Sequence, residues 1–276
     1  MKDESTEPNL SLSFPARLYR SAERYSRHIP SHTVARRFTN RLTELLFPIR
    51  SDRPWSLPEM EAQWDSLQSD LVSMLRGLCP PETSCEQLAG RFFDALPAIH
   101  SALLDDAQMY RDSDPASGCV EEVILCYPGF YAVMVHRIAH VLHSLDIPIL
   151  PRIIAEYAHS RTGIDIHPGA QIGPRFYIDH GTGVVIGQTT VIGTNVCLYQ
   201  GVTLGALYVD KELRGVRRHP TIQDNVVIYA GSTILGGHTV VGHDTVIGGN
   251  VWLTESVPPY SRVYHKPEIE IKTKPK

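Results

Sequence analysis

The first half of the chain has the hydrophobic period of helices. Up to about residue 160, apolar residues recur three and four positions apart, as they do on one face of an α-helix. Ser56 and Glu59 form a capping box that predicts a helix start, and the Cys79-Pro80-Pro81 segment predicts its end. We expect further helices over 33–47, from Thr83 onward, over 121–144 with a kink at Pro128, and over 151–159.

After Gly163 the hydrophobic period changes to six. A period of six fits neither an α-helix nor a two-stranded ribbon, but it fits a parallel β-helix whose coils have three short faces. Two series of six-residue steps carry Ile or Val at every position except Thr190. These series predict inward side chains at Ile166, Ile172, Ile178, Val184, Thr190, Val196 and Val202, and at Ile222, Ile228, Ile234, Val240 and Val246.

The two periods predict an α+β protein, with an N-terminal α-helical domain followed by a C-terminal left-handed parallel β-helix of hexapeptide repeats. We expect an N-terminal extension over 1–55 that is partly disordered or a short helix, and a helical domain over 56–160. The β-helix is expected over 161–262 and a tail over 263–276. We also expect a polar loop over 206–218 that projects from one corner of the β-helix. A long loop on a rigid repeat is often functional.

Composition and charge narrow the class of protein. The net charge of −4 gives no reason to expect a nucleic-acid partner. No apolar stretch approaches the roughly 20 residues that span a bilayer, and the acidic start does not resemble a signal peptide. The five cysteines form no CxxC pair, which favours reduced thiols. We therefore expect a cytoplasmic protein without a membrane partner.

The informative polar residues lie early in the β-helix. Asp165 precedes His180 by fifteen residues, close to one coil of about eighteen, so the two side chains are expected about one strand spacing apart. A carboxylate that orients an imidazole lets it take a proton from a hydroxyl. A surface pair at a corner is the alternative, and spacing alone does not decide between them. At the base of the loop, Arg218 suits a carboxylate or phosphate, unless it is simply solvated.

A metal site is the other chemistry to consider. His238 and His243 are five residues apart on the repeat, as in three-histidine zinc hydratases of this architecture. About two coils upstream, around 202–205, the chain offers no third histidine. We therefore expect outward polar side chains there and no metal.

Five segments in this order resemble the serine O-acetyltransferases, and the resemblance covers about residues 105–260. This family makes O-acetylserine from L-serine and acetyl-CoA in cysteine biosynthesis. The matching segments are Arg111-Asp112-Ser113-Asp114-Pro115-Ala116, Asp165-Ile166-His167-Pro168, Asp179-His180-x-Thr182-Gly183, Gln200-Gly201-Val202-Thr203-Leu204-Gly205 and Arg218-His219-Pro220.

The resemblance implies a role for each matching residue. His180 is implied as the general base, and Asp165 as the residue that orients it. The serine ammonium is implied to bind Asp114 and Asp179, and its carboxylate to bind Arg218 and His219 of a neighbouring subunit. Acetyl-CoA is implied to lie along the groove between prisms, with direct acetyl transfer and no metal, against Gly205, Ala206, Ala230 and Gly248.

Partners follow from the same resemblance and from the exposed sides of a single prism. We expect a homo-oligomer, either a trimer or a dimer of trimers. Family members that dock into O-acetylserine sulfhydrylase do so through a terminal isoleucine, which this sequence lacks, so we expect no such complex.

Departures from the family keep alternatives open. After Gly205 the chain continues Ala206-Leu207-Tyr208 in place of a short glycine-rich loop. This departure leaves room for another donor, such as succinyl-CoA, or for another acceptor, such as a sugar or homoserine. A zinc hydratase and a non-catalytic scaffold are the other classes, although a scaffold needs no paired Asp165 and His180.

Overall fold

The computed structural model describes residues 13–25, 29–80, 82–208 and 216–266. Over these ranges, seven α-helices precede a parallel β-helix of about five coils, so the predicted fold class is confirmed. The helices are α1 Phe14–Tyr25, α2 His32–Leu46, α3 Leu57–Arg76, α4 Cys85–Ser113, α5 Val120–Cys126, α6 Pro128–Ser144 and α7 Leu150–Thr162. In the described ranges, no helix combines the length and the apolar character needed to cross a bilayer.

Local sequence signals place the helix ends, with two corrections. The Glu59 carboxylate accepts a hydrogen bond from the backbone N–H of Ser56 at 2.8 Å, as a capping box requires. Helix α4 begins one residue later than predicted, because Ser84 rather than Thr83 caps it. The expected kinked helix over 121–144 is two helices, since Tyr127 is extended before Pro128.

The β-helix consists of fourteen short parallel strands within the described ranges. They are β1 Asp165–Ile166, β2 Gln171–Ile172, β3 Phe176–Ile178, β4 Val185–Ile186, β5 Val191–Ile192, β6 Val196–Leu198, β7 Thr203–Gly205, β8 Thr221–Ile222, β9 Val227–Ile228, β10 Thr233–Leu235, β11 Val240–Val241, β12 Val246–Ile247, β13 Trp252–Leu253 and β14 Arg262–Val263.

The strands form the three faces of a prism. Sheet A has the order β1-β4-β7-β10-β13, sheet B has β11-β8-β5-β2, and sheet C has β14-β12-β9-β6-β3. The chain passes from A to B to C in each coil, so each pair of faces meets at an edge. The C–A edge contains 179–184, 199–202, 229–232 and 248–251. The A–B edge contains 167–170, 187–190, 206–208, 216–220 and 236–239, and the rest of the predicted loop, 209–215, lies outside the described residues.

The first change of register in the β-helix leaves the residues of the predicted six-residue series buried. Ile166 pairs with Ile186, which is 20 residues later, because the C–A edge after Ile178 holds two extra residues. Steps of six from Ile178 therefore reach Val184 rather than Ile186. Both side chains are buried, because alternate residues on a strand share a face.

A second change of register makes part of the prediction wrong. Val241 pairs with Ile222, and both face inward, so the inward series steps by seven between Ile234 and Val241. An odd step exchanges the two faces of a strand. Val241 and Ile247 are fully buried, whereas the predicted inward residues Val240 and Val246 are only half-buried and face outward.

The helices pack on sheet C and so position the start of the C–A edge. The ring of Tyr110 on α4 lies 4.5 Å from that of Tyr177 on β3, centroid to centroid. Its hydroxyl accepts the backbone N–H of Ile178 at 3.1 Å. The buried Asp106 carboxylate binds Arg137 at 2.7 Å and the N–H of Phe176 at 2.9 Å. These contacts hold the end of α4 beside the end of β3.

Gly129→Ala is expected to destabilise this junction. A Cβ at position 129 would overlap the Ile178 carbonyl oxygen and lie 2.6 Å from the Tyr110 hydroxyl. Overpacking of this kind typically costs about 1–3 kcal/mol. The free energy of unfolding should fall by that amount in a denaturant titration. Gly90→Ala is the matched control, because nothing lies within 4 Å of its added Cβ; equal losses in both variants would contradict the account.

Candidate active site

His180 is presented by a tight turn that follows strand β3. The backbone of His180 has a φ of +55°, and the next residue, Gly181, has a φ of +84°. A Cβ at Gly181 would overlap the side chain of Ile164, so this turn requires glycine there. The His180 side chain is 72% exposed, and its Nδ1 lies 3.7 Å from Oδ1 of Asp179. The imidazole is therefore open to a substrate.

Asp114 approaches the same place from the helical half. It follows the last residue of α4, and its Oδ2 accepts the hydroxyl of Tyr127 at 2.6 Å while its Oδ1 accepts the N–H of Ala116 at 2.8 Å. The Tyr127 hydrogen bond, followed by that of Ala116, lowers the pKa of Asp114, and the same bond raises the pKa of Tyr127 to about 12. The ring of Tyr110 lies 5.8 Å from that of Tyr127 and 4.5 Å from that of Tyr177, so this packing holds Asp114 on the side of the molecule where β3 leads into Asp179 and His180.

Asp179 completes a pair of carboxylates beside the imidazole. Its side chain is 17% exposed. Burial and then the charge of Asp179 raise the pKa of the Tyr177 phenol, so the phenol stays neutral beside the carboxylate. The structure thus brings Asp114, Asp179 and His180 together. Two carboxylates beside an exposed imidazole can hold an ammonium group next to a base.

Asp165 lies elsewhere on the first coil than its spacing predicts. Because Asp165 pairs with Val185, a coil here takes 20 residues, and His180 comes five residues before that partner. Among the described residues, no hydrogen bond or ion pair joins Asp165 to His180. One carboxylate oxygen of Asp165 instead lies in a cluster with one polar atom each from Glu156 and His159 of α7, and these three atoms lie within 4.8 Å of one another. The catalytic pair stays a prediction.

Arg218 and His219 are anchored on the A–B edge by the preceding coil. Their backbone N–H groups both donate to Oγ1 of Thr189, at 2.9 and 3.1 Å. Nη2 of Arg218 donates to Oε1 of Gln188 at 2.7 Å. Its Nη1 is buried and has no hydrogen-bond partner among the described residues. A buried guanidinium nitrogen in this state can bind an anionic oxygen.

Two histidines on this edge, His167 and His219, are expected to make the folded state less stable in acid. Burial, followed by the charge of Arg218, lowers the pKa of His219 to about 4. Burial, followed by the charge of Arg152, lowers the pKa of His167 to about 4. In the unfolded state these histidines take up protons near pH 6.5, whereas in the folded state they do so only near pH 4. The free energy of unfolding therefore falls as the pH decreases from about 6.5 toward 4.

The expected result is a melting temperature that drops by several degrees between pH 7 and pH 5. The measurement is thermal unfolding across this range in one buffer series. His167→Gln should reduce the pH dependence, because it removes one of the groups that titrates. A melting temperature that is flat or rises toward pH 5 would show that these histidines are not buried as neutral groups.

The predicted residues divide between the two edges of sheet A. His180 and Asp179 lie on the C–A edge, and Arg218 and His219 lie on the A–B edge. In each coil, a strand of sheet A that is two or three residues long lies between the two edges. The four predicted acetyl-CoA contacts divide in the same way. Ala230 and Gly248 lie on the C–A edge, whereas Ala206 lies on the A–B edge next to Gly205, the last residue of β7. The predicted site residues of one chain therefore form two separate groups. We call the group on the C–A edge the C–A half-site and the group on the A–B edge the A–B half-site.

The possible zinc pair does not converge. His238 lies on the A–B edge, whereas His243 lies between sheets B and C, where its Nδ1 contacts Oδ2 of Asp244 at 2.7 Å. In the part of the chain that the structure describes, the cluster of Glu156, His159 and Asp165 is the one group of three side chains arranged closely enough to share a cation.

Sequence reasoning missed the residues that support the site. Tyr127 holds Asp114 from thirteen positions later, and Thr189 holds Arg218 and His219 from about thirty positions earlier. No local motif marks either residue. Gly187 also supports the site, because a Cβ there would overlap the ring of His219.

Comparison with known proteins adds relatives at both the sequence and the structure level. No family model matches the chain. A serine acetyltransferase encoded on a plasmid of Synechococcus elongatus is 53% identical over 177 residues, which are 62% of this chain and 55% of that protein. The serine acetyltransferase of Bacillus subtilis is 46% identical over 161 residues, which are 58% of this chain and 72% of that protein.

A solved structure extends the similarity to the helical half. The crystal structure of serine acetyltransferase isoform 3 from Entamoeba histolytica, in complex with cysteine, superposes with a TM-score of 0.76 at 32% identity. The match covers 86% of this chain and 84% of that chain. The chain spans only about half the length of the Synechococcus relative, at 55%.

Proposed function

Because this chain belongs to the serine acetyltransferase family, we propose that it transfers the acetyl group of acetyl-CoA to the hydroxyl of L-serine. The observation that carries the proposal is that packing around Tyr110 and Tyr127 brings Asp114 toward Asp179 and His180 at one end of the C–A edge. An amino acid with a hydroxyl side chain presents an ammonium to the two carboxylates and its hydroxyl to the imidazole.

The acetyl group is transferred directly in two steps, which are the formation and the breakdown of a tetrahedral intermediate. His180 takes the proton of the serine hydroxyl while its oxygen attacks the thioester carbonyl, which gives a tetrahedral intermediate. When the carbon–sulfur bond breaks, the thiolate of CoA takes that proton from the imidazolium. The ester O-acetylserine and free CoA are the products, and His180 returns to its neutral form.

The carboxylate of serine is held by the other half-site. Nη1 of Arg218 lacks a partner among the described residues, and a carboxylate supplies the anionic oxygen that it needs. His219 is buried beside it and neutral at physiological pH, since its pKa is about 4. It therefore adds a hydrogen bond rather than a second charge.

A second copy of the chain is needed to join the half-sites. In our proposal, the C–A edge of one subunit faces the A–B edge of its neighbour, so that His180 and Arg218 from different chains reach one serine. A trimer of prisms closes this arrangement, and a dimer of trimers would repeat it. Acetyl-CoA then lies in the groove between the same edges, against Gly205, Ala206, Ala230 and Gly248.

We propose that the enzyme acts in the cytoplasm, and its thiols support this. All five cysteines are free, which supports the reducing cytoplasm as the place where the enzyme acts.

The direct test is release of CoA thiol by the purified protein. L-serine, homoserine and a galactoside are offered as separate acceptors, first with acetyl-CoA and then with succinyl-CoA. Rapid release with L-serine and acetyl-CoA, and little with the other pairs, is the expected result. Release that requires succinyl-CoA or homoserine would correct the substrates, and no release with serine from either donor would overturn the proposal.

A further inference from the structure

A column of equivalent residues runs along the C–A edge, away from the candidate active site. Its members are Asp179, Tyr199, Tyr229 and Gly248, and each of them directly follows a strand of sheet C. Each donates its backbone N–H to a carbonyl of the next coil, at 2.8 to 3.0 Å. Successive members of the column are therefore about 4.8 Å apart, and the first of them is the carboxylate beside His180.

Two tyrosine rings stack in this column. The centroids of the Tyr199 and Tyr229 rings are 4.8 Å apart, and the ring planes are within 14° of parallel. Tyr199 is half-buried and packs against the core that the helices share with sheet C. Tyr229 is 42% exposed. Tyr199 thus supports one face of the Tyr229 ring and holds the ring in a fixed orientation.

The other face of the Tyr229 ring borders a gap in the column. The next coil offers only Gly248 at this place, so no side chain of that residue covers the ring. One coil further, Tyr264 follows strand β14, and its Cδ1 lies 3.2 Å from where a Cβ of Gly248 would be. Tyr229 and Tyr264 are therefore two coils apart, roughly 10 Å, with glycine as the floor between them. A flat aromatic group suits such a gap, because it can stack on the ring of Tyr229.

The proposed position of acetyl-CoA brings its nucleotide end toward this gap. The thioester must lie beside His180 in the first coil, where helix α7 packs on strand β1, so the rest of the molecule extends toward the later coils. Asp179 and Gly248 are three coils apart, about 14 Å, which is a distance that an extended pantetheine arm can span. Exposed Arg262 and Lys266 supply positive charge near the end of the column, where phosphate groups would lie.

We propose that the gap between Tyr229 and Tyr264 binds the adenine ring of acetyl-CoA, which stacks on the face of Tyr229 that Tyr199 leaves open. This inference rests on the proposed function, since that function places acetyl-CoA along the C–A edge. The four contacts implied by the family resemblance are glycines and alanines, which let the arm approach the backbone but cannot stack on adenine. The tyrosines therefore distinguish CoA thioesters from shorter thioesters.

Tyr229→Leu removes the ring and keeps an apolar side chain at a partly exposed position. We expect the KM for acetyl-CoA to rise about tenfold, the scale of one base–aromatic stack, with no change in the KM for serine. S-acetylpantetheine lacks the nucleotide, so its KM should be the same for the variant and the wild type. Tyr229→Phe keeps the ring and should behave as the wild type. Equal rises for the two donors would overturn the contact with adenine.

Two further variants separate stacking from general damage. Tyr264→Leu removes the other wall of the gap, so it should also raise the KM for acetyl-CoA and leave that for S-acetylpantetheine unchanged. The matched control is Tyr260→Asn, because the ring of Tyr260 is 77% exposed and lies 5.0 Å from that of His243, between sheets B and C. Asparagine also suits the φ of +59° at this position. A KM for acetyl-CoA that stays unchanged in both Tyr229→Leu and Tyr264→Leu would overturn the proposal.

Calorimetric titration without serine keeps this proposal distinct from the proposed function. The ligands are CoA, pantetheine and the adenosine bisphosphate part of CoA alone. Tyr229→Leu should bind CoA about tenfold more weakly than the wild type does, and pantetheine equally well. If only the affinity for the free nucleotide fell, the gap would take a nucleotide other than the donor, and the assignment would be overturned. A protein that binds CoA through Tyr229 but releases no thiol with serine would overturn the proposed function and support this inference.

Discussion

His180→Asn is expected to lower kcat by about 100-fold or more, the usual scale for the loss of a general base. The imidazole is the one group in the C–A half-site that can accept the serine proton at neutral pH among the described residues there. Asp114 and Asp179 are engaged with the ammonium in the proposed complex. The measurement is the steady-state rate of thiol release at saturating serine and acetyl-CoA.

The choice of asparagine follows from the backbone of the turn. At a φ of +55°, most side chains are strained, whereas asparagine tolerates the left-handed region. His180→Ala should lose as much activity but also some stability, so the pair separates chemistry from folding. An unchanged melting temperature in His180→Asn is the control. Near-normal turnover in the folded variant would show that another group takes the proton.

Arg218→Ala is expected to raise the KM for serine by about tenfold or more, with a much smaller change in the KM for acetyl-CoA. Its buried Nη1 is placed to bind the serine carboxylate, and a hydrogen bond to a charged group contributes about 1.5–3 kcal/mol. Initial rates with each substrate varied in turn give both constants.

The neighbouring arginine provides the control for that variant. Arg217 is exposed at the same loop base, so Arg217→Ala should leave the KM for serine unchanged. A selective rise in the KM for acetyl-CoA in Arg218→Ala would reassign the side chain to the donor. Equal effects of the two variants would mean that the charge of the loop matters rather than this contact.

The hexapeptide repeat could be predicted from the sequence because the positions of the buried side chains have the same period as the repeat. Each coil buries a small aliphatic side chain at the same place on each face, so the period of six is visible without the structure. The register within that period was harder to predict. Two extra residues near His180 left the pattern intact, whereas the one extra residue at Gly236-Gly237 moved Val241 inward in place of Val240.

Part of the arrangement of the site residues agrees with the prediction from the sequence. The differences between the two have physical causes. Asp114 and His180 came from matching motifs, and packing between Tyr110 and Tyr177 brings them together. Asp165 was expected opposite His180 because a coil was taken as about eighteen residues, but the observed coil has 20. The contact between Thr189 and Arg218 could not be predicted from the sequence. The number of residues between these two positions depends on the length of the loop that separates them.

The most direct test of the two-chain site is to mix two variants that are each impaired when serine is below its wild-type KM. His180→Asn keeps an intact A–B half-site, and Arg218→Ala keeps an intact C–A half-site. After co-refolding or co-expression at equal amounts with serine below its KM, random trimers should restore about a quarter of the wild-type sites. Recovery of that order, absent when the separately assembled oligomers are simply combined, is the predicted result. Mixed oligomers that are no more active than the average of their two parents would contradict a site shared between chains.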